Sequence, residues 1–181
     1  LVLARLEAFA PDIIAIEAIG GRGCDELRRY AALYEGLADT YCRDPQPALD
    51  ALGMSQPEAF IAARTLLHEF PDAPSASERR ALALLLYGAG EPWSAVLHWA
   101  QLEENDRIAA DGLTDALAGE LNAMLGSRGE NNVIGVALAA RLGLDSLATM
   151  DDHTADSIYA YSPDTLGPTI QPVWAQSDPE N

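Results

Sequence analysis

Lysine is absent from this chain of 181 residues: all 11 basic residues are arginine, set against 28 acidic ones for a net charge of −17. So acidic a surface repels nucleic acid and anionic membranes, both of which need a basic footprint, and no nucleic-acid partner is expected. No apolar run approaches the ~18 residues of a membrane helix, so no membrane span is expected either. The opening lacks the charged, then apolar, then small pattern of a signal peptide. The two cysteines, Cys24 and Cys42, form no CxxC, which argues against a redox motif or zinc knuckle. Gly20-Gly21-Arg22-Gly23 is neither GxGxxG nor a P-loop, so no nucleotide site is read there. With no Gly-x-Ser-x-Gly elbow and no histidine next to either cysteine, a serine or cysteine nucleophile is unsupported.

What the chain does have is a globular composition, 49% apolar and 22% charged, enough for one domain with a proper core. Its organising stretch is Asp12-Ile13-Ile14-Ala15-Ile16-Glu17-Ala18. Four apolar residues in a row predict a strand over 12–18 buried on both faces, as in a parallel sheet. Gly20-Gly21 stops it, which places Glu17 at the strand's carboxyl end, the edge where open α/β sheets bind ligands. The alternative for Glu17 is a plain salt bridge to a nearby arginine. Before the strand, residues 1–10 read as a helix already under way, with no initiator Met. An upstream strand beyond the given sequence is therefore expected.

After the strand the pattern is helical. A helix is expected over Asp25 to Ala38, with Leu27, Tyr30, Ala31 and Tyr34 on its inner face, then a turn at Asp44-Pro45-Gln46-Pro47. A disulfide between Cys24 and Cys42 would span this helix and imply an oxidising, extracytoplasmic compartment, whereas two free thiols would fit the cytosol. Ser55 to Glu58 and Ser75 to Glu78 are capping boxes. They start helices striped by Phe60, Ala63, Leu67 and Phe70, and by Leu82, Leu85 and Leu86. Glu91-Pro92 opens another helix, carrying Trp93, Val96 and Leu97, so that Gly88-Ala89-Gly90 makes the turn of an αα-hairpin. Further helices are expected over 114–125 and 130–142, the latter apolar almost all round and therefore buried. A second strand over 144–150 ends in Asp151-Asp152-His153, and a short helix follows over 155–161, capped by Asp152 or Thr154.

The expected architecture is α/β and helix-rich: one domain over 1–161, with a helical insertion at 44–128 capping a parallel sheet, and a tail or linker over 162–181. If the two strands are parallel neighbours, Glu17, Asp151 and His153 converge at one edge. Such a set suits a divalent metal or an acid/base pair of carboxylates with split pKa values. Glu17 and His153 are the candidate metal ligands, with Asp151 as their catalytic partner. Arg22 and Asn131 are candidate substrate-binding residues, although Asn131 could simply cap its helix. Asp152 reads better as a helix cap than as a site residue. His68 and His98, inside amphipathic helices, read as ordinary packed or surface imidazoles.

Pro-Asp-Ile-Ile-Ala-Ile-Glu17, the helical insertion, and Glu130-Asn-Asn leading through Arg-Leu-Gly143 to Asp-Asp-His153 together resemble an uncharacterised bacterial family. It is grouped with the TraB/GumN-like, ChaN-like and erythromycin-esterase-like proteins. The resemblance covers roughly residues 1–161 and rests on these blocks. It implies an α/β fold in which one strand ends in a Gly-x-x-His-type motif, expected just upstream of Leu1, and another ends in a Glu matched by Glu17. In some relatives an arginine follows that Glu by five residues, as Arg22 does here. Relatives include metal-dependent proteases, a haem-iron-binding lipoprotein and esterases, so the resemblance implies a hydrolase, with a divalent metal as its expected cofactor and a small molecule or peptide as substrate. A non-catalytic binding protein for iron, haem or a small ligand is the second expectation. A helical interaction module, with Trp93 or Trp99 exposed on the hairpins, is the third.

Overall fold

The computed structural model of the chain describes residues 2–154 and, beyond them, positions 168, 171 and 172. The helix expected over Ala155 to Tyr161 and nearly all of the tail lie outside the described residues. Along the chain run α1 (Val2–Phe9), β1 (Ala15–Ile16), α2 (Gly21–Arg29), α3 (Leu37–Tyr41), α4 (Gln46–Leu52) and α5 (Gln56–His68). Then follow α6 (Ala76–Gly88), α7 (Pro92–Ala100), α8 (Asp115–Leu125), α9 (Ala137–Leu142) and β2 (Ala148–Thr149). The fold is helix-rich α/β, as the sequence implied, with one small parallel sheet.

β1 and β2 pair in parallel, with Ala15 opposite Ala148 and Ile16 opposite Thr149. The ladder continues past both strands, Met150 N–H donating to the Ile16 carbonyl at 3.1 Å and Asp151 N–H to that of Ala18 at 3.2 Å. Both carboxyl ends therefore finish at the same edge. The strands are shorter than the sequence suggests, and among the described residues each pairs only with the other. Ile16 is buried beneath the helices, but Ile13 is 73% exposed, so the apolar run does not mark a strand covered on both faces.

The helices between the strands form the bulk of the molecule. At the start of α6, Ser75 Oγ accepts from Glu78 N–H at 3.2 Å while Ser75 N–H donates to the Glu78 carboxylate at 2.7 Å, a complete capping box. α6 and α7 form the expected hairpin. Its turn runs through Gly90 at φ +82°, a backbone conformation that favours glycine. Leu82, Val96, Leu97, Trp99, Leu117 and Leu121 form the centre of the core, and Ile16 and Leu147 beside the sheet belong to the same cluster. Segment 44–128 and the sheet thus share one core. The end of α7 is closed by Arg107, whose guanidinium donates to the carbonyls of Trp99, Ala100 and Leu102, satisfying acceptors a helix leaves orphaned.

Three helices depart from the sequence pattern. α2 starts at Gly21, inside the glycine loop, and ends at Arg29. The expected helix over 25–38 breaks into a turn before α3, and a disulfide between Cys24 and Cys42 ties the two pieces together. Asp44 to Pro47 is not only a turn. It leads straight into α4, with Pro47 in the first helical turn, where its missing N–H matters little. The helix expected over 130–142 begins as a widened turn, Asn131–Val136, before α9. This turn presses Gly135 onto β1, where an added Cβ would stand 2.7 Å from Ile16 Cγ2. It also leaves Val133 and Ile134 exposed rather than buried.

Candidate functional site at the carboxyl edge of the sheet

Asp151 is fixed twice, by its own N–H in the extended ladder and by its side chain. Its Oδ1 accepts Asp152 N–H at 3.0 Å, and its Oδ2 lies 3.1 Å from His153 Nε2. Both side chains of this pair are partly buried. The ring of Tyr41, at the end of α3, stacks on the His153 imidazole with centroids 3.8 Å apart and planes 17° from parallel. From the same segment, Tyr34 Oη donates to the Thr154 carbonyl at 3.2 Å. The Cys24–Cys42 disulfide anchors that segment, Cys42 following Tyr41 directly. The pairing that the sequence left open therefore holds the aromatic wall of the site.

The pair faces a cleft of about 410 Å³, whose other walls include Arg22, Glu91, Thr149 and Gly20. Arg22, exposed on the first turn of α2, makes no ion pair among the described residues. Asp152 also borders the cleft, but its carboxylate accepts Thr154 N–H at 2.8 Å. Hydrogen bonds from the Thr154 side chain and backbone hold its pKa below the ordinary aspartate value. The helix it was expected to cap lies outside the described residues.

Glu17 and Asn131 lie on another side of Asp151. Asn131 Nδ2 donates to the Glu17 carbonyl at 2.8 Å, which clamps the widened turn to the end of β1. The exposed Glu17 side chain lines a second cavity of about 280 Å³ together with Asp151, Asn131 and Arg43. The salt bridge considered for Glu17 does not form among the described residues. Of the expected site residues, Asp151 alone borders both cavities; His153 and Arg22 border the first, Glu17 and Asn131 the second. Glu17 and His153, the expected metal ligands, line different cavities. Among the described residues no three His, Cys, Asp or Glu side chains gather closely enough to hold an ion. The physical reason is that His153 is turned to Asp151 and Tyr41, while Glu17 opens into the other cavity.

Glu91 is the site residue that sequence reasoning missed. It stands at the cap position of α7, yet its side chain turns away, and its Oε1 accepts Gly21 N–H at 3.2 Å. Burial raises its pKa above the ordinary glutamate value, and the Gly21 bond offsets this only in part. Gly21 must be glycine for this contact, since an added Cβ would stand 2.2 Å from the Ala89 carbonyl oxygen. A signal was available in the sequence: glutamate is a poor N-cap beside Ser, Thr, Asp or Asn, so a Glu directly before Pro92 invites another explanation. The remaining histidines behave as expected. His68 is exposed, and His98 is a buried packing residue whose Nε2 bonds the Asp145 carbonyl at 2.9 Å. Compared with known proteins, the chain matches no family model, no curated protein and no solved structure, so its function is argued from this geometry.

Proposed function

We propose that the chain is a hydrolase of the α/β type that cleaves a small ester- or amide-like substrate by metal-free acid/base chemistry at the sheet edge. The observation that carries this reading is the Asp151–His153 pair, 3.1 Å apart and partly buried in a cleft with Arg22 and Glu91. A carboxylate bonded to an imidazole fixes the ring's orientation and stabilises the imidazolium formed when the ring accepts a proton. In the proposed reaction His153 takes a proton from water and the hydroxyl oxygen bonds to the substrate carbonyl carbon. Arg22 faces the developing oxyanion. As the carbon–heteroatom bond breaks, Glu91 gives its proton to the leaving group, and the proton held by His153 restores it through solvent. Burial favours the protonated form of Glu91 that this step needs. Of the relatives in the TraB/GumN-like resemblance, the esterases agree with this class of chemistry, whereas the proteases are metal-dependent. The disulfide agrees with an oxidising compartment. The helical interaction module has less support: Trp99 is fully buried, and Trp93 is packed against the core.

The test is turnover of p-nitrophenyl acetate and of an amino-acid p-nitroanilide by the wild type and by Asp151→Asn and His153→Ala. Removing a general base lowers kcat/KM by about 100-fold or more. Circular dichroism checks that the variants are folded. Rates within twofold of wild type in folded His153→Ala would remove the reading.

A further inference from the structure

The cleft does not end at Arg22 and Glu91. The same two side chains also wall a groove of about 530 Å³ between α2 and α5, floored by Pro57, Phe60 and Ile61. That volume lies within the range of small-molecule sites. The floor is open to solvent, with Phe60 43% and Ile61 64% exposed, and nothing else in the described chain covers it. In a molecule of net charge −17, the cations around this floor stand out. Arg64 lies over the Phe60 ring at 5.8 Å. Arg29 is balanced by Asp25 at 2.8 Å. Arg22, which has no such partner among the described residues, stands where the groove meets the catalytic cleft. An occupant that complements these walls has an apolar body and one negative charge.

We propose that the ligand of this site is a small amphiphile, an aliphatic or aromatic body lying on Phe60 and Ile61 with a single anionic group on Arg22, held beside the Asp151–His153 pair. This deepens the hydrolase reading by naming its substrate class, an ester or amide of such an acid, whose carbonyl oxygen faces Arg22 and whose carboxylate, once released by hydrolysis, is the anionic group held there, and it rests on that reading only for the chemistry. The groove's preference can be measured without turnover. An acidic protein has no general reason to prefer anions, since its surface field repels them. A selective gain for an anionic amphiphile therefore reports local complementarity.

The experiment uses the whole chain and isothermal titration with decanoate, decyltrimethylammonium and acetate, all below micelle-forming concentration. Decanoate is expected to bind, and the other two are not, since acetate lacks the body and decyltrimethylammonium has the wrong sign. Arg22→Gln and Ile61→Asp, both on exposed positions, should each weaken decanoate by about tenfold or more, the loss of one good contact. Equal binding of the cationic amphiphile, or decanoate affinity unmoved in both groove variants, would overturn the proposal. So would binding to phosphatidylglycerol vesicles with none to monomeric decanoate, because the occupant would then be a lipid surface. If no ester is turned over but decanoate binds with these dependences, the hydrolase reading fails and the ligand class stands. If turnover depends on His153 while decanoate binding is unaffected by the groove variants, the reverse holds.

Discussion

Trp99 and Tyr41 show two ways of holding an aromatic ring. Trp99, in the middle of the helical body, is fully buried, and its Nε1–H donates to Asn122 Oδ1 at 2.8 Å. Tyr41, at the sheet edge, is 48% exposed and rests on His153. Behind Trp99 stands one continuous core drawn from α4 to α9. Behind Tyr41 stands a small satellite cluster of Ile19, Cys24 and Leu27, with Tyr34, Leu37 and Ala38 packed on it, and one covalent bridge. The body is held by area removed from water, the site segment by a staple. Under the proposed function the body would supply stability and the edge the chemistry, since loops set on a rigid scaffold are where sites concentrate.

The strongest way to break the comparison is to empty the body. Trp99→Ala leaves a cavity and an unpartnered Asn122, and should destabilise the fold by about 3–5 kcal/mol, read from urea unfolding. A smaller loss, with the core refilled, would mean that the body is less tightly packed than its burial indicates. The edge should respond differently. Reducing the Cys24–Cys42 bridge, or Cys42→Ser, should cost about 3 kcal/mol or less by the loop-entropy rule. The loss should appear as faster hydrogen exchange over residues 30–42, with α6 and α7 still protected. Turnover should fall with it, because Tyr41 is then no longer held on His153. Uniform loss of protection would show that segment and body unfold as one unit.

The smallest effect sharpens the seam between the two regions. His98 of α7 bonds the carbonyl of Asp145, just ahead of β2, and its Nδ1 lies 3.4 Å from the Arg79 guanidinium. Burial pushes its pKa down to about 4, with Arg79 acting in the same direction and the Asp145 bond opposing them. The folded state therefore holds the ring neutral where the unfolded chain, with an ordinary value near 6.5, binds a proton. The stabilisation is complete above about pH 6.5 and fades as the pH falls toward about 4, by roughly 2–3 kcal/mol in total. Unfolding free energies measured from pH 7 to pH 4 should fall less steeply in His98→Gln than in the wild type. Parallel curves would show that His98 does not carry this dependence.

Local rules made the body legible. The two Ser/Glu capping boxes, Pro92 on the first turn of α7 and the apolar stripes each report a helix through contacts between residues three or four apart, and so they survive without knowledge of the fold. A parallel sheet was also legible in kind, from helices that alternate with the strands, whereas the adjacency of the two strands entered only as a condition that the structure meets. The boundaries were not. Tyr30 and Tyr34 keep helical spacing, yet the chain turns between α2 and α3, and the cysteine bridge joins what the turn separates. Val133 and Ile134 read as core but lie outside, because the widened turn at Asn131–Val136 shifts the inward face.

By itself, then, the sequence determined the helix-rich α/β class and the acidic surface, along with the arrival of Asp151 and His153 at a strand end. These follow from composition, periodicity and stop signals, which act over a few residues. Only the tertiary structure decided which groups share a cavity. It turned Glu17 away from His153, drew Glu91 into the cleft from 70 residues beyond Gly21, and set Tyr41 over the imidazole. Those contacts depend on how α2, α3 and α7 pack around one edge, a matter of long-range packing and of a close approach that only a glycine at position 21 permits.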